Sequence, residues 1–191
     1  MKYFMNKNNV DEYIKMCEGY DSSFINNKLM SYLEKGSSIL ELGMGKGDDF
    51  KELLEYYDVL ESDNSSIFVD LYNKTHTKKA ILLDAVNIDI DQKFDCIYSN
   101  KVLQHLTKSD FIKSIDRQAK ALNKDGIIFM TLWNGEYKEE MMFDDQIRFT
   151  YYQIQDIKQI VKDKFDIVNI ELYDEMDKND SLIVVLKPKY K

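Results

Sequence analysis

From Ser38 to Trp133, short apolar runs of strand length alternate with longer stretches of helical period. This alternation restricts the chain to few folds, because strands joined through helices bury their apolar faces when they lie parallel under helices on both sides. The apolar runs predict strands over 38–42, 57–62, 79–83, 94–99 and 127–133. Between them the spacing predicts helices over 47–55, 64–74 and 108–122, the last closed by the glycine-containing turn Asn123 to Gly126. Two lead-in helices, over 10–18 and 22–34, precede the first strand, with Asp21 or Ser22 capping the second. After a helix over 152–163, residues 166–174 and 181–187 read as strands joined by the polar loop Glu175 to Asp180, an antiparallel hairpin. No repeat or linker divides the chain, so 1–191 reads as one α/β domain, with capping helices in 1–36 and an insert over 131–152.

The first strand runs into Gly43-Met44-Gly45-Lys46-Gly47, followed by Asp48 and Asp49. Alternating glycines between a strand and a helix let a ligand approach the backbone closely. A pyrophosphate would use the positive end of the helix dipole, whereas Glu41, Asp48 and Asp49 surround this loop with negative charge. That favours a nucleotide-like ligand bearing a cation; as a plainer alternative, Asp48 and Asp49 cap the helix. Asp63 lies about twenty residues after the first glycine, where an acidic residue can take both ribose hydroxyls in Rossmann-type sites. Capping the helix that starts near Ser65 is its competing role. Asp84-Ala85 closes the third strand and Ser99-Asn100 the fourth. His105 follows, and a histidine titrates near neutral pH, which makes it a candidate general base.

These signatures, at four successive strand ends, resemble those of the class I, Rossmann-like S-adenosylmethionine-dependent methyltransferases of the small-molecule type. The resemblance spans 20–187 and is strongest over 38–65 and 81–106. It implies a seven-stranded, mostly parallel sheet of order 3-2-1-4-5-7-6, with strand seven antiparallel and helices on both faces. It implies S-adenosylmethionine as cofactor and S-adenosylhomocysteine as product, held by Glu41, Gly43, Met44, Gly45 and Gly47 of the loop. On the same resemblance Asp63 takes the ribose, Asn64 borders the adenosine, and Asp84 and Ala85 meet the adenine. Ser99 and Asn100 offer carbonyls to the ammonium, and Tyr20 closes over the cofactor. Lys46 departs from the small residue usual at its position. Two other classes stay open: a catalytically silent S-adenosylmethionine-binding protein, and a nicotinamide-dependent oxidoreductase, for which no hydride-transfer constellation is found.

Charge and composition narrow the acceptor. The net charge is −8 with no dense basic run, which disfavours a nucleic-acid partner. The polar N-terminus and the lack of a long apolar run predict a cytoplasmic protein without a membrane partner, a monomer or homodimer. Cys17 and Cys96 lack metal-ligand spacing and read as packing residues, so no metal is expected. Methylation of exocyclic base amines or protein glutamines needs a Pro-Pro-aromatic run after strand four. The chain has Ser99-Asn100-Lys101-Val102 there, and its single proline is Pro188. Cytosine-carbon methylation needs a cysteine after that strand, and Cys96 lies within it. A small-molecule acceptor methylated at O, N or S by in-line displacement remains. The insert supplies apolar and aromatic residues for its pocket. Trp133 with Tyr151 or Tyr152 would flank a cationic acceptor or the sulfonium. Arg148 would hold an acceptor carboxylate or pair with Asp144 or Asp145. His105, Tyr151, Tyr152, Arg148 and Trp133 are the candidate catalytic residues, none with an assigned role.

Overall fold

The computed structural model describes residues 3–47 and 53–189. Its centre is a seven-stranded sheet built from β1 (Ser38–Leu42), β2 (Asp58–Asp63), β3 (Ile81–Leu82), β4 (Phe94–Asn100), β5 (Leu122–Trp133), β8 (Phe165–Tyr173) and β9 (Ser181–Pro188). The strands β6 (Lys138–Met142) and β7 (Ile147–Tyr151) form a separate antiparallel hairpin. The sheet order is β3-β2-β1-β4-β5-β9-β8. Its numbering differs from 3-2-1-4-5-7-6 because the β6–β7 hairpin intervenes, so the last two sheet strands are the eighth and ninth of the chain. Pairing is parallel from β3 to β5, and β9 runs antiparallel to both β5 and β8.

The parallel strands are apolar on both faces because both are covered. Ile39 and Leu40 of β1 and Ile97 and Tyr98 of β4 are fully buried. On one face α4 (Lys108–Ala121) contributes Phe111 and Ile115, and α5 (Ile154–Val161) contributes Ile157 and Val161. On the other, α2 (Ser23–Met30) sends Ile25 and Leu29 against Ile39, Val59 and Phe129. Thr107 caps α4, its Oγ1 accepting from the Asp110 N–H at 3.1 Å. A smaller cluster joins α1 (Lys7–Met16) to α3 (Ser66–Thr75) through Val10, Phe68 and Tyr72.

Several boundaries depart from the sequence reading. The helix over 47–55 is present only as a 3-10 turn at Leu53–Glu55 among the described residues; Asp48 and Asp49 lie outside them. Asn123 to Gly126 do not form a turn between helix and strand. Instead α4 passes directly into β5, and the register jumps from Phe94↔Leu122 to Cys96↔Ile127, so 123–126 bulge from the ladder. Leu122, pinned in the core, starts the pairing before the glycine arrives. The β3 strand is only two residues long.

Candidate active site

Parallel pairing brings the carboxyl ends of β3, β2, β1 and β4 to one edge of the sheet, which is where open α/β sheets bind their ligands. The loop after β1 is held from both sides. The Met44 N–H donates to the Ser62 carbonyl at 2.9 Å, and the Gly45 N–H donates to Asp63 Oδ2 at 3.0 Å. Gly43 and Gly45 have φ of +71° and +56°. A Cβ on Gly43 would lie 2.5 Å from Val102 Cγ2, whereas one on Gly45 would meet nothing within 4 Å. The loop is thus packed tightly at its entry and open at its middle glycine.

Of the two roles weighed for Asp63, the contact at the start of the helix is present, and the same carboxylate also holds the glycine loop. Its Oδ1 accepts from the Ser65 N–H at 2.7 Å at the start of α3, while Oδ2 holds the glycine loop. Burial pushes its carboxyl up to about 6 against the lowering effect of the Ser65, Gly45 and Asn64 amides.

A cavity of about 260 Å³ opens beside this loop. Gly43 to Lys46, Tyr20 and Asn100 line one side of it, and the Asn100 Nδ2 donates to the Tyr20 hydroxyl at 3.3 Å. Tyr3, Phe4 and Tyr13 enter from the N-terminal segment, and Phe143, Ile147 and Phe149 from the β6–β7 hairpin. Lys101, Gln104, His105, Trp133 and Glu175 complete the lining.

His105 is fixed by the hairpin. Because the Arg148 carbonyl can only accept, the 2.7 Å contact requires a hydrogen on Nδ1, which leaves the lone pair on Nε2. Burial lowers its pKa, opposed by this hydrogen bond, so the ring is neutral at pH 7. Phe149 meets it edge-on with centroids 4.8 Å apart.

The other candidates divide. Trp133 lines the cavity, but the cation over its ring is Lys101 Nζ, 3.3 Å from the centroid, which occupies the place assigned to a cationic acceptor or the sulfonium. Arg148 pairs with Glu139 at 2.6 Å and not with Asp144 or Asp145, because the β6–β7 register places it across from Glu139's strand. Tyr152 is fully buried against Phe111 and Tyr137, and neither it nor Tyr151 lines the cavity. Glu41 and Ser99 are each 1% exposed, and Gly47 is buried with Tyr72 directly over it. None of Glu41, Ser99 and Gly47 lines the cavity. Asn64 and Asp84 are exposed beyond the cavity, Asp84 accepting from the Val86 N–H at 2.9 Å. Cys17, read as a packing residue, lines the cavity at the end of α1. Among the described residues no group of His, Cys, Asp and Glu has metal-binding geometry, and no helix is long and apolar enough to cross a membrane.

Sequence reasoning missed Lys101, Gln104, Glu175 and the aromatic trio of the N-terminal segment. Lys101 follows Asn100 directly and carries a left-handed φ of 55°, but no local pattern marks it. Glu175 lies in a hairpin loop that becomes a cavity wall only because β9 pairs with β5.

A Rossmann-like sheet with a glycine loop opening into an aromatic cavity defines a fold of the class I methyltransferase architecture. A family model described as a methyltransferase domain matches residues 15–171, so the chain belongs to that family. No curated protein matches it significantly. Among solved structures, an S-adenosylmethionine-dependent methyltransferase from Clostridium acetobutylicum superposes with a TM-score of 0.74 at 14% identity, covering 95% of this chain and 99% of its own. A TehB-like methyltransferase from Corynebacterium glutamicum gives 0.73 at 18% identity, covering 96% of this chain and 100% of its own. The 1,6-didemethyltoxoflavin-N1-methyltransferase of Burkholderia thailandensis, bound to 1,6-didemethyltoxoflavin and S-adenosylhomocysteine, gives 0.70 at 15% identity and covers 89% and 76%.

Proposed function

We propose that this chain transfers a methyl group from S-adenosylmethionine to a small-molecule acceptor, with His105 as proton acceptor. The observation that carries this reading is one cavity shared by the glycine loop and a neutral imidazole whose Nδ1 is committed to a carbonyl. When bound, S-adenosylmethionine supplies a methyl carbon that is displaced in line from its sulfur. The residues at the sheet edge fit this cofactor: the open face of Gly45 admits it, and the Asp63 carboxylate offers acceptor capacity to ribose hydroxyls. Asn64, Asp84 and Ala85 extend the site for the adenosine, and Tyr20 and Asn100 close the methionine end. His105 Nε2 receives the proton that the acceptor's O–H or N–H gives up on methylation. The aromatic walls orient a ring, and orientation alone can contribute roughly 7–11 kcal/mol to such a displacement. The Burkholderia neighbour likewise holds a small molecule, 1,6-didemethyltoxoflavin, together with S-adenosylhomocysteine.

Calorimetry with S-adenosylmethionine and NAD tests the cofactor, and S-adenosylhomocysteine release in a metabolite screen tests the transfer. Affinity for S-adenosylmethionine should depend on pH through Asp63, whose carboxyl sits at about 6. Ribose hydroxyls donate to the ionised form, so binding should be flat above that pH and weaken by up to about tenfold per unit below it. Binding of NAD alone, or an affinity unchanged between pH 7 and 5, contradicts the assignment. The same shift acts on the apoprotein with the opposite preference. A carboxyl raised in the fold contributes stability that is present at low pH and lost as pH rises to about 6.

A further inference from the structure

The wall of the cavity opposite the glycine loop holds an ion pair that the methyl-transfer reading leaves unused. Lys101 Nζ lies 2.9 Å from Glu175 Oε2, with side chains only 13% and 14% exposed. An ion pair this desolvated is weak evidence for stability, since apolar side chains of similar volume often do as well. Lys101 also holds a left-handed φ of 55°, kept by its N–H donating to Thr131 Oγ1 at 2.9 Å. Backbone strain, a desolvated charge pair and a cavity wall meet at one residue, a combination that clusters at ligand sites.

The lysine is fully engaged. Its ammonium donates to Ser181 Oγ at 2.6 Å, pairs with Glu175, approaches the Leu132 carbonyl at 3.4 Å and sits over the Trp133 ring. Burial lowers it to about 8, against the opposing pull of Glu175 and Asp180. The carboxylate is engaged on one side only. Tyr173 Oη at 2.7 Å and Lys101 Nζ at 2.9 Å fall on Oε2, and Ser181 Oγ also lies on that side at 3.3 Å, with its hydrogen nearer Asp180 Oδ1 at 2.9 Å. Among the described residues Oε1 receives no donor, so it has capacity for one. Lys101 already balances the carboxylate's charge and already fills the cation position over Trp133. A donor that is neutral therefore suits Glu175 better than an ammonium does.

We propose that Glu175 anchors the acceptor, its Oε1 receiving an N–H or O–H of an uncharged, planar aromatic molecule, while Lys101 and Tyr173 hold the carboxylate in place. This rests on the methyltransferase reading and adds the acceptor class to it. Flat rings match the aromatic side chains of Phe4, Tyr13 and Phe149 on the lining.

The test is a ligand-observed NMR titration of the full chain with 2-naphthol, 2-methoxynaphthalene, 2-naphthoate and 2-naphthylmethylamine, each with and without S-adenosylhomocysteine. A hydrogen bond to a charged group should make 2-naphthol bind about tenfold more tightly than its methyl ether, with the anion and the cation weaker still. Glu175→Gln should remove most of that preference while leaving the methyl ether unchanged. Preference for the naphthoate or the ammonium, or no binding in the series, overturns the assignment. So does a preference for 2-naphthol that survives Glu175→Gln. Should the variant not fold, a wild-type discrimination between 2-naphthol and its ether below about threefold is the overturning result. Failure of S-adenosylhomocysteine to bind would count against the parent reading alone, because the naphthyl series without it still reports on Glu175.

Discussion

Replacing His105 by glutamine is expected to slow methyl transfer by about 10²–10⁴-fold, the usual contribution of a positioned proton acceptor. Glutamine can still donate to the Arg148 carbonyl, which His105 meets at 2.7 Å, so the hairpin should stay in place. The loss should fall on kcat with little change in S-adenosylmethionine affinity, because the imidazole acts on the acceptor's proton. The pH profile adds a readout that a merely structural role would not move. Burial lowers the His105 pKa, so with S-adenosylmethionine saturating, which removes the Asp63 dependence, the acidic limb of kcat should lie below the ordinary imidazole value of about 6.5 and vanish in the variant. Measured as S-adenosylhomocysteine release with an acceptor found by screening, a rate within about threefold of wild type would remove His105 from the chemistry.

Gly43→Ala and Gly45→Ala should separate folding from binding, although both glycines sit in one loop. At Gly43 the new methyl meets Val102 Cγ2 at 2.5 Å and must also adopt a φ of +71°. Left-handed backbone costs about 1–2 kcal/mol and overpacking about 1–3 kcal/mol, so a total near 2–5 kcal/mol and a clearly lower Tm are expected. At Gly45 the backbone cost is similar, but no atom lies within 4 Å to clash. That variant should fold with a loss of about 1–2 kcal/mol. Its methyl occupies the open face of the loop, so S-adenosylmethionine affinity should fall by at least about tenfold, or 1.4 kcal/mol. Thermal denaturation and calorimetry on the pair check this; equal Tm losses, or unimpaired binding by Gly45→Ala, would falsify the division of labour.

How far the sequence was legible varies with the range of the interactions involved. The strands at 38–42 and 94–99 lie where their apolar runs place them, because both sheet faces are covered and no other assignment buries Ile39, Leu40, Ile97 and Tyr98. The glycine loop was readable for the same reason: φ of +71° and +56° at a strand end calls for glycine in any context. The boundary at 122–126 was misread because glycine signals a local turn, while the outcome was decided by Leu122 pairing with Phe94 across the sheet. Tyr152 read as a pocket residue from its aromaticity, yet burial against Phe111 and Tyr137 was settled by how the insert folds back.

The chain's order of residues by itself determined the alternating strands and helices, the glycine loop and the acidic residues at the following strand ends. Periodicity and backbone sterics act over a few residues and leave their mark in sequence. Only the tertiary structure decided the rest of the cavity. His105 is kept neutral by burial and takes a defined tautomer from the carbonyl of Arg148, 43 positions away. Lys101 and Glu175 meet because antiparallel β9 inserts beside β5 and carries its hairpin loop over the end of β4. Contacts of that range depend on sheet order, and no local spacing of residues encodes them.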